Sequence, residues 1–505
     1  MHRPREAGVA QAMQTCPASG VAALPQGGRI CGTVTSDTRT GDTIAPPQPA
    51  PPEADRGRPL RADGATSPEA GVQTEPNCSP ARFPFRVIFV NRFFYPDHSA
   101  TGQLLSDLAF ELASRGVSVH VVSCRFAYED PSCRFARRQL SSGVDIHRVW
   151  TTKFGRASSF GRAIDYSTFY IAAFIRLYHL LQKGDVVVAK TDPPLVSVVC
   201  ALVAWYKGAR LVNWLQDLFP EVAFALKVRG LGQPLRRLLK TARNRSLRFA
   251  DRNVVIGERM AELVRSILPN EAGVRVINNW AKGTAITPIA REVNTLRQEW
   301  NLGDRFVVGY SGNMGRAHEF ETLLDAMTEL RHDASIAFLF VGGGGQAEAL
   351  KRACRDRQIT NVVFRPYQPR ERLAESLGIA DAHIVSLQPA LEGLIVPSKF
   401  YGIAAAARPA IVIGDPDGEI GGIVSSSGCG VCIRPGDCRG LVQLLRDWSR
   451  DPEEPNRMGK RAREVFEGRY EFSHALASWM ELLSEINAGV PFTGESQLRS
   501  AKTAR

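Results

Sequence analysis

No stretch of this 505-residue chain is apolar for the roughly 20 residues that a bilayer-spanning helix needs; the best candidate, Leu195–Tyr206, stops at 12. Nor does an apolar run follow Arg3 and Arg5, so the N-terminus does not read as a secretory signal. Cysteine is scarce, 10 in all and scattered, which argues against a disulfide framework and for a reduced, cytoplasmic setting. Cys429 and Cys432 form a lone Cys-x-x-Cys with Cys438 nearby. No second pair completes a four-ligand zinc site, so small buried thiols are the simpler reading and no metal is expected. Residues 1–80 contain no Phe, Trp, Tyr or Lys, and 13 of the 31 prolines precede Arg86. Such a segment cannot bury enough apolar surface to offset its ordering entropy, so residues 1–82 are expected to be a disordered, Pro-rich extension. Residues 1–80 hold seven arginines against eight acids, so a net charge of +13 belongs to the rest of the chain.

What remains is ordinary for a globular protein, with 44% apolar and 23% charged residues and length for two or three domains. Short, continuous apolar runs alternate with helical patterns. Arg86–Asn91, Ser118–Ser123, Asp145–Trp150, Asp185–Ala189 and Leu211–Leu215 read as strands in the first half. Phe306–Ser311, Ala337–Val341, Val362–Phe364, Ala382–Leu387 and Ala410–Ile413 repeat the pattern in the second. Strands apolar on both faces and separated by helices predict an α/β fold with parallel sheets covered on each side. The expectation is two Rossmann-like domains, 83–285 and 286–472, a last helix near 473–487 and a polar tail, 488–505.

In doubly wound folds ligands sit beyond the carboxyl ends of the strands, so the loops there are the places to search. Thr101, Gly102 and Gln103 open the first helix, where free N–H groups could receive an anion or a sugar; an ordinary N-capped helix with a turn glycine is the alternative. Ser311–Arg316 offers Gly312, Asn313, Gly315 and the charge of Arg316. Four consecutive glycines, Gly342–Gly345, follow the next strand and suit close approach of a phosphate, or simply a tight strand end. Leu391–Gly402 carries Glu392, Ser398 and Lys399 ahead of a small-residue helix, Gly402–Ala407. Lys399 is a candidate phosphate partner or a solvated surface lysine, and Glu392 or Glu419 a candidate acceptor for a sugar hydroxyl. Asp217 ends the strand Leu211–Leu215 and either meets substrate or caps the next helix.

Leu226–Phe249 holds eight Lys or Arg and no acid. Leu235, Leu238, Leu239 and Ala242 share one face of a helix, with Arg236, Arg237, Lys240 and Arg243 around the rest. A basic amphipathic helix over 235–249 suits an anionic membrane surface, and a core-packed helix with a solvated face is the plain alternative. With no aromatic residues interleaved for stacking, nucleic acid is not expected.

In this order, the motifs FFYPDHSATGQ, NWLQDLFPE, ADRNVVIGERM, YSGNMGRAHEFETLLDAM, FLFVGGGG and VPSKFYGIAAAARP followed by GDPDGEIGGIV resemble the retaining glycosyltransferases of family 4. The likeness runs over about 86–487 and is strongest to the branch of bacterial exopolysaccharide and colanic acid enzymes. It implies the GT-B fold: two Rossmann-like domains facing across a cleft, with the last helix crossing back to the first. It implies a metal-independent sugar transfer with retention, from a nucleoside diphosphate-sugar co-substrate held by the second domain to a lipid-linked or polysaccharide acceptor held by the first. No further cofactor is implied, and such an enzyme would work at the inner face of the plasma membrane. Carried over, Gly312–Arg316, Gly342, Gly343, Gly344, Ser398 and Lys399 cradle the diphosphate and nucleoside, with Phe364 and Tyr367 near the base. Gly102 and Asp217 face the transferred sugar or the acceptor, and Asp217, Arg316 and Lys399 carry the catalysis. The chain departs from the pattern at Gln216, where many members have His, at Asn313 and His318 in place of Arg and Lys, and at Gly402 in place of a second Glu. Arg316 and Lys399 are then the available positive charges and Glu419 a substitute on the ribose. The departures keep two rivals in play, a non-catalytic membrane-associated relative and a nucleotide-sugar epimerase.

Overall fold

A computed structural model describes residues 85–488 apart from 98, 128–133, 156–158, 229–231 and 270–272; the expected extension 1–82 and the tail beyond 488 lie outside the described residues. The first half runs β1 (Arg86–Val90), α1 (Ala100–Ser114), β2 (Ser118–Cys124), β3 (Arg138–Ser141), β4 (Val144–Val149), α2 (Ser159–Leu180), β5 (Val186–Lys190), α3 (Val196–Lys207), β6 (Arg210–Leu215), α4 (Glu221–Ala225), α5 (Gln233–Phe249), β7 (Arg252–Val255), α6 (Glu258–Arg265) and β8 (Val274–Val276). The second runs α7 (Thr295–Glu299), β9 (Phe306–Ser311), α8 (Glu321–Glu329), β10 (Ile336–Val341), α9 (Ala347–Asp356), β11 (Val362–Arg365), α10 (Leu373–Gly378), β12 (Ala382–Ser386), α11 (Lys399–Ala405), β13 (Ala410–Ile413), α12 (Glu419–Ser427), β14 (Gly430–Ile433), α13 (Cys438–Arg450), α14 (Glu453–Val465) and α15 (Phe472–Ala488).

Two sheets result, eight strands in the order β3-β4-β2-β1-β5-β6-β7-β8 and six in the order β11-β10-β9-β12-β13-β14. All pairs are parallel except β3 with β4. The central strands β5 and β10 are buried along their whole length, which is why they read as unbroken apolar runs rather than alternating ones. Helices α2 and α3 cover one face of the first sheet, on Ile88, Val187 and Leu211. On the other face α1 packs with α15, whose Trp479 meets Trp214 edge-on at 4.9 Å. Thus α15, last in sequence, completes the core of the first half, burying Leu476, Trp479, Leu482 and Ile486 at roughly 1.5–3 kcal/mol for each large side chain. Glu481 and Glu485 pair with Arg275 of β8.

Strands β3, β7, β8 and β14 were not visible as apolar runs. β7 begins Arg-Asn, yet Asn253 is buried and accepts from Asn213 Nδ2 at 2.8 Å, so a polar pair inside the sheet replaces an apolar one. The small-residue helix starts earlier than expected, at Lys399 rather than Gly402. On α5 the inward side chains are Arg243, Ser246 and Leu247, whereas Leu235 and Leu238 stand exposed. The expected Leu235–Ala242 stripe is therefore not the core face. Arg243 goes inward because Glu221 accepts from it at 2.8 Å.

Candidate functional site

The loops leaving the carboxyl ends of the two sheets meet one another. Asp217, two residues after β6, bridges to Ile395, and Leu218 N–H donates to Leu394 O at 2.9 Å. Arg259, at the start of α6, donates to Asp417 O at 2.6 Å, and its own N–H to Glu419 Oε2 at 3.1 Å. Arg370 lies 3.4 Å from Asp107 of α1. Across this seam Arg316 also donates to Leu226 O at 2.6 Å.

On the second side, Gly312 (φ +120°), Gly342 (φ +132°) and Gly344 (φ +132°) occupy conformations that favour glycine. A Cβ on Gly342 would stand 2.3 Å from Gly312 O, and one on Gly344 would stand 2.3 Å from Asn313 Oδ1. Met314 N–H donates to Gly343 O at 2.6 Å. The two glycine loops thus pack backbone on backbone, and Gly342 and Gly344 make room for the neighbouring loop rather than for a ligand. Gly312 keeps one side free, with only the Lys399 chain within 4.0 Å of its Cβ position.

Lys399 is the centre of this side. Its Nζ is buried, donates to no acceptor, and stands 3.5 Å above the Tyr310 ring. Burial alone pushes its pKa well below the ordinary lysine range, with no carboxylate to oppose it. A solvated surface lysine is thereby excluded. His318 lies edge-on to Tyr310 at 5.8 Å, with Nδ1 2.7 Å from Ser386 O. Burial, then the charge of Lys399, pushes His318 down to about 4, so it is neutral and its Nδ1–H donates.

On the first side, Lys190 ends β5 with Nζ buried, without a hydrogen-bond partner, 3.4 Å over Trp214. Burial lowers its pKa against the pull of Asp107, Asp192 and Asp217. Asp217 is raised to about 6, by burial first and Asp192 second, with Lys190 opposing. Pro220, not Asp217, stands at the N-cap of α4. Gln216 is closed into a reciprocal amide pair with Asn279, 2.9 Å each way, so it is no substitute for a titrating His.

Comparisons with known proteins agree with this geometry. Residues 100–280 match a glycosyl transferase 4-like domain and residues 292–465 match the glycosyl transferases group 1 model. The chain is a GT-B glycosyltransferase. It is 25% identical over 368 residues, 70% of its length and 89% of the other's, to an Escherichia coli protein named as a colanic acid biosynthesis glycosyl transferase, WcaI. It is 29% identical over 275 residues to WbjE of Pseudomonas aeruginosa, 54% of this chain and 68% of that one. Among solved structures, sucrose-phosphate synthase from Thermosynechococcus elongatus shares the fold with a TM-score of 0.64 at 16% identity, over 80% of this chain and all of that one. HepE from Anabaena, solved with UDP-glucose, does so with a TM-score of 0.60 at 14% identity, over 79% and 99%.

The other sequence-derived residues of this glycosyltransferase fall into three groups. Asn313 and Ser398 are exposed at the seam, as is Tyr367, whose ring lies 3.6 Å from the Cβ position of Gly343. Phe364 instead stacks on Phe340 at 5.0 Å, within the second core. Glu392 and Glu419 are already engaged, Glu392 accepting the Glu419 N–H at 2.7 Å and Glu419 the Arg259 N–H, so these carboxylates tie α12 and α6 together. At the start of α1, Ser99 Oγ accepts Gly102 N–H at 3.2 Å, which is the capped-helix alternative; a Cβ on Gly102 would stand 2.6 Å from that hydroxyl. Thr101 and Gln103 are half-buried there.

Sequence reasoning missed Lys190, Arg259 and the Gln216–Asn279 pair. A lysine closing the apolar run DVVVA was a signal for the first; the other two depend on contacts between distant segments. Among the described residues, His120, Asp145 and His147 have metal-ligand spacing. They sit near the amino ends of β2 and β4, away from the seam. Asp145 is already held by Arg138 at 2.7 Å, and His147 Nδ1 by Arg176.

Proposed function

We propose that this glycosyltransferase moves a sugar, with retention, from a nucleoside diphosphate-sugar to a lipid-linked or polysaccharide acceptor during assembly of a bacterial surface glycan. The observation that carries the donor half is Lys399: its buried Nζ meets neither an acceptor nor a carboxylate and lies beside the open flank of Gly312, so an anion placed there would hold the lysine in its charged form. A departing diphosphate supplies that charge. Fixed cations and backbone N–H groups stabilise it without reorganising, so no metal is required. In the step itself, the bond from the anomeric carbon to the phosphate oxygen breaks while the acceptor oxygen bonds to that carbon on the same face. The acceptor's proton passes to the departing phosphate oxygen, so no nucleophile–base pair is needed.

In this reading Lys399 holds the diphosphate, with Asn313, Ser398 and the Gly312 and Gly343 backbone around it. Arg316 joins on release from Leu226, and Tyr367 offers its face to the base. Asp217, Thr101 and Gln103 meet hydroxyls of the transferred sugar or the acceptor, and Lys190 holds Asp217 in place. Glu392 and Glu419 fix the seam. The UDP-glucose held by HepE and the name of WcaI support the donor class and the surface-glycan context. Exposed cations on α5, Arg236 and Arg237 among them, suit the inner face of the plasma membrane, where a lipid-linked acceptor is presented; no described helix is long and apolar enough to cross it.

The test is thermal unfolding with UDP-, GDP- and dTDP-sugars. A donor at about 100 times its Kd adds about 2.7 kcal/mol to the native state. One nucleotide class should raise the melting temperature clearly. No shift with any of them overturns the reading in favour of a non-catalytic protein, and turnover of donor sugar without acceptor overturns it in favour of an epimerase.

A further inference from the structure

The large apolar side chains left exposed are distributed unevenly. Among the described residues of the second half only Val293 and Tyr367 qualify, whereas the first half carries a continuous set on one layer. That layer is α2, α3 and α5, packed side by side with α3 in the middle. Phe169, Leu177, Cys200 and Val203 point inward from α2 and α3 to the sheet. Pointing outward are Ile171 and Ile175 of α2, Leu202, Trp205 and Tyr206 of α3, and Leu238 of α5, all more than half exposed. A patch of this kind on a protein surface marks an interaction site.

Charge says with what. Across α2, α3 and α5 there is one acidic residue, Asp165, and it is buried, accepting from Thr152 Oγ1 at 2.7 Å and Phe154 N–H at 3.0 Å. The cations lie at the margin. Arg236 stands over Phe224 at 4.1 Å, Lys207 over Tyr178 at 4.2 Å, and Arg237 and Arg245 are exposed. A second copy of this face would bring like charges together with no acid to meet them, so self-association is disfavoured. The same arrangement complements a negatively charged lipid surface, where tryptophan and tyrosine place an apolar ring at headgroup depth and leave a polar tip wet.

We infer that the outer face of α2, α3 and α5 seats this protein in the interfacial zone of an anionic bilayer, with the α2–α3 side chains inserted and the α5 cations on the headgroups. This deepens the membrane part of the proposed function, on which it rests, by adding apolar insertion to surface attraction. Two components with different salt dependence follow. The α5 contribution is screened by salt, and the α2–α3 contribution is not.

The experiment is co-sedimentation of the full chain with phosphatidylcholine–phosphatidylglycerol vesicles and with phosphatidylcholine alone, at low and molar salt. Leu202→Ser/Trp205→Ser should weaken binding ~10-fold and remove what survives molar salt, with an unchanged melting temperature because both side chains already face solvent. Arg236→Glu/Arg237→Glu should remove the preference for the anionic vesicles. Trp205 should account for a quenching of tryptophan fluorescence by brominated lipid that Trp205→Phe loses. Unchanged binding by the Leu202/Trp205 variant overturns the inference, as does self-association that this variant abolishes while vesicles remain unbound. A chain that shifts with donor but ignores vesicles loses this inference alone; one that binds vesicles but no donor loses the transferase reading alone.

Discussion

Two lysines invite comparison. Lys190 in the first half and Lys399 in the second are both buried, both lack a hydrogen-bond partner, and both stand about a ring's thickness over an aromatic face, 3.4 Å from Trp214 and 3.5 Å from Tyr310. Their surroundings differ in one respect. Lys190 is pulled on by Asp107, Asp192 and Asp217, while no acid opposes the burial of Lys399. A buried charge that its own protein leaves uncompensated is costly, and that cost is recovered only when an anion arrives. In the proposed reading this difference fits the second half to receive the negative charge of a diphosphate and the first to position the Asp217 carboxylate.

The comparison breaks most decisively at Lys399. Lys399→Met should lower kcat/KM by about 10³, the scale on which fixed charges stabilise a leaving anion, while its melting temperature holds or rises because an unpaired charge is gone. Steady-state rates and thermal unfolding read the two effects; a loss of both activity and stability would make Lys399 a structural residue. Asp217→Asn should cost about 10² in kcat/KM, the range for a group engaged with reacting hydroxyls. It also has a signed pH signature. The folded-state value is about 6 against an ordinary 3.8, so between these limits the native chain binds the extra proton and its stability falls as pH rises. The variant should therefore unfold at higher denaturant than the parent above pH 6 and lose that advantage below pH 4, as urea titrations at the two extremes would show. Lys190→Met should have the smallest effect on rate, about 10-fold, but should move the acid limb of the pH–rate profile upward, since Lys190 opposes the rise of Asp217. Loss of rate at every pH without displacement of that limb would remove Lys190 from the positioning of Asp217.

Much of the architecture was legible because buried parallel strands leave continuous apolar runs, as at β5 and β10. Where a strand satisfies itself with polar pairs, the signal vanishes, and Asn253 of β7 is the case in point. The site was legible as loops and residue types but less so in roles. Gly342 and Gly344 looked like ligand contacts, yet each accommodates the neighbouring loop. Glu392 and Glu419 looked free for sugar hydroxyls, yet each carboxylate accepts a backbone N–H from a distant segment. Arg243 looked like one more surface cation, and Glu221 draws it inward.

Local sequence alone determined most of the strands and helices, β3, β7, β8 and β14 excepted, because periodicity and punctuation are properties of neighbours in the chain. Only the tertiary structure decided that Gln216 is closed against Asn279, and that among the described lysines Lys190 and Lys399 are buried on aromatic rings with different electrostatic company. The energy of a charge depends on which groups surround it in space, and residues such as Lys190 and Asp217, or Tyr310 and Lys399, become neighbours only when the chain folds.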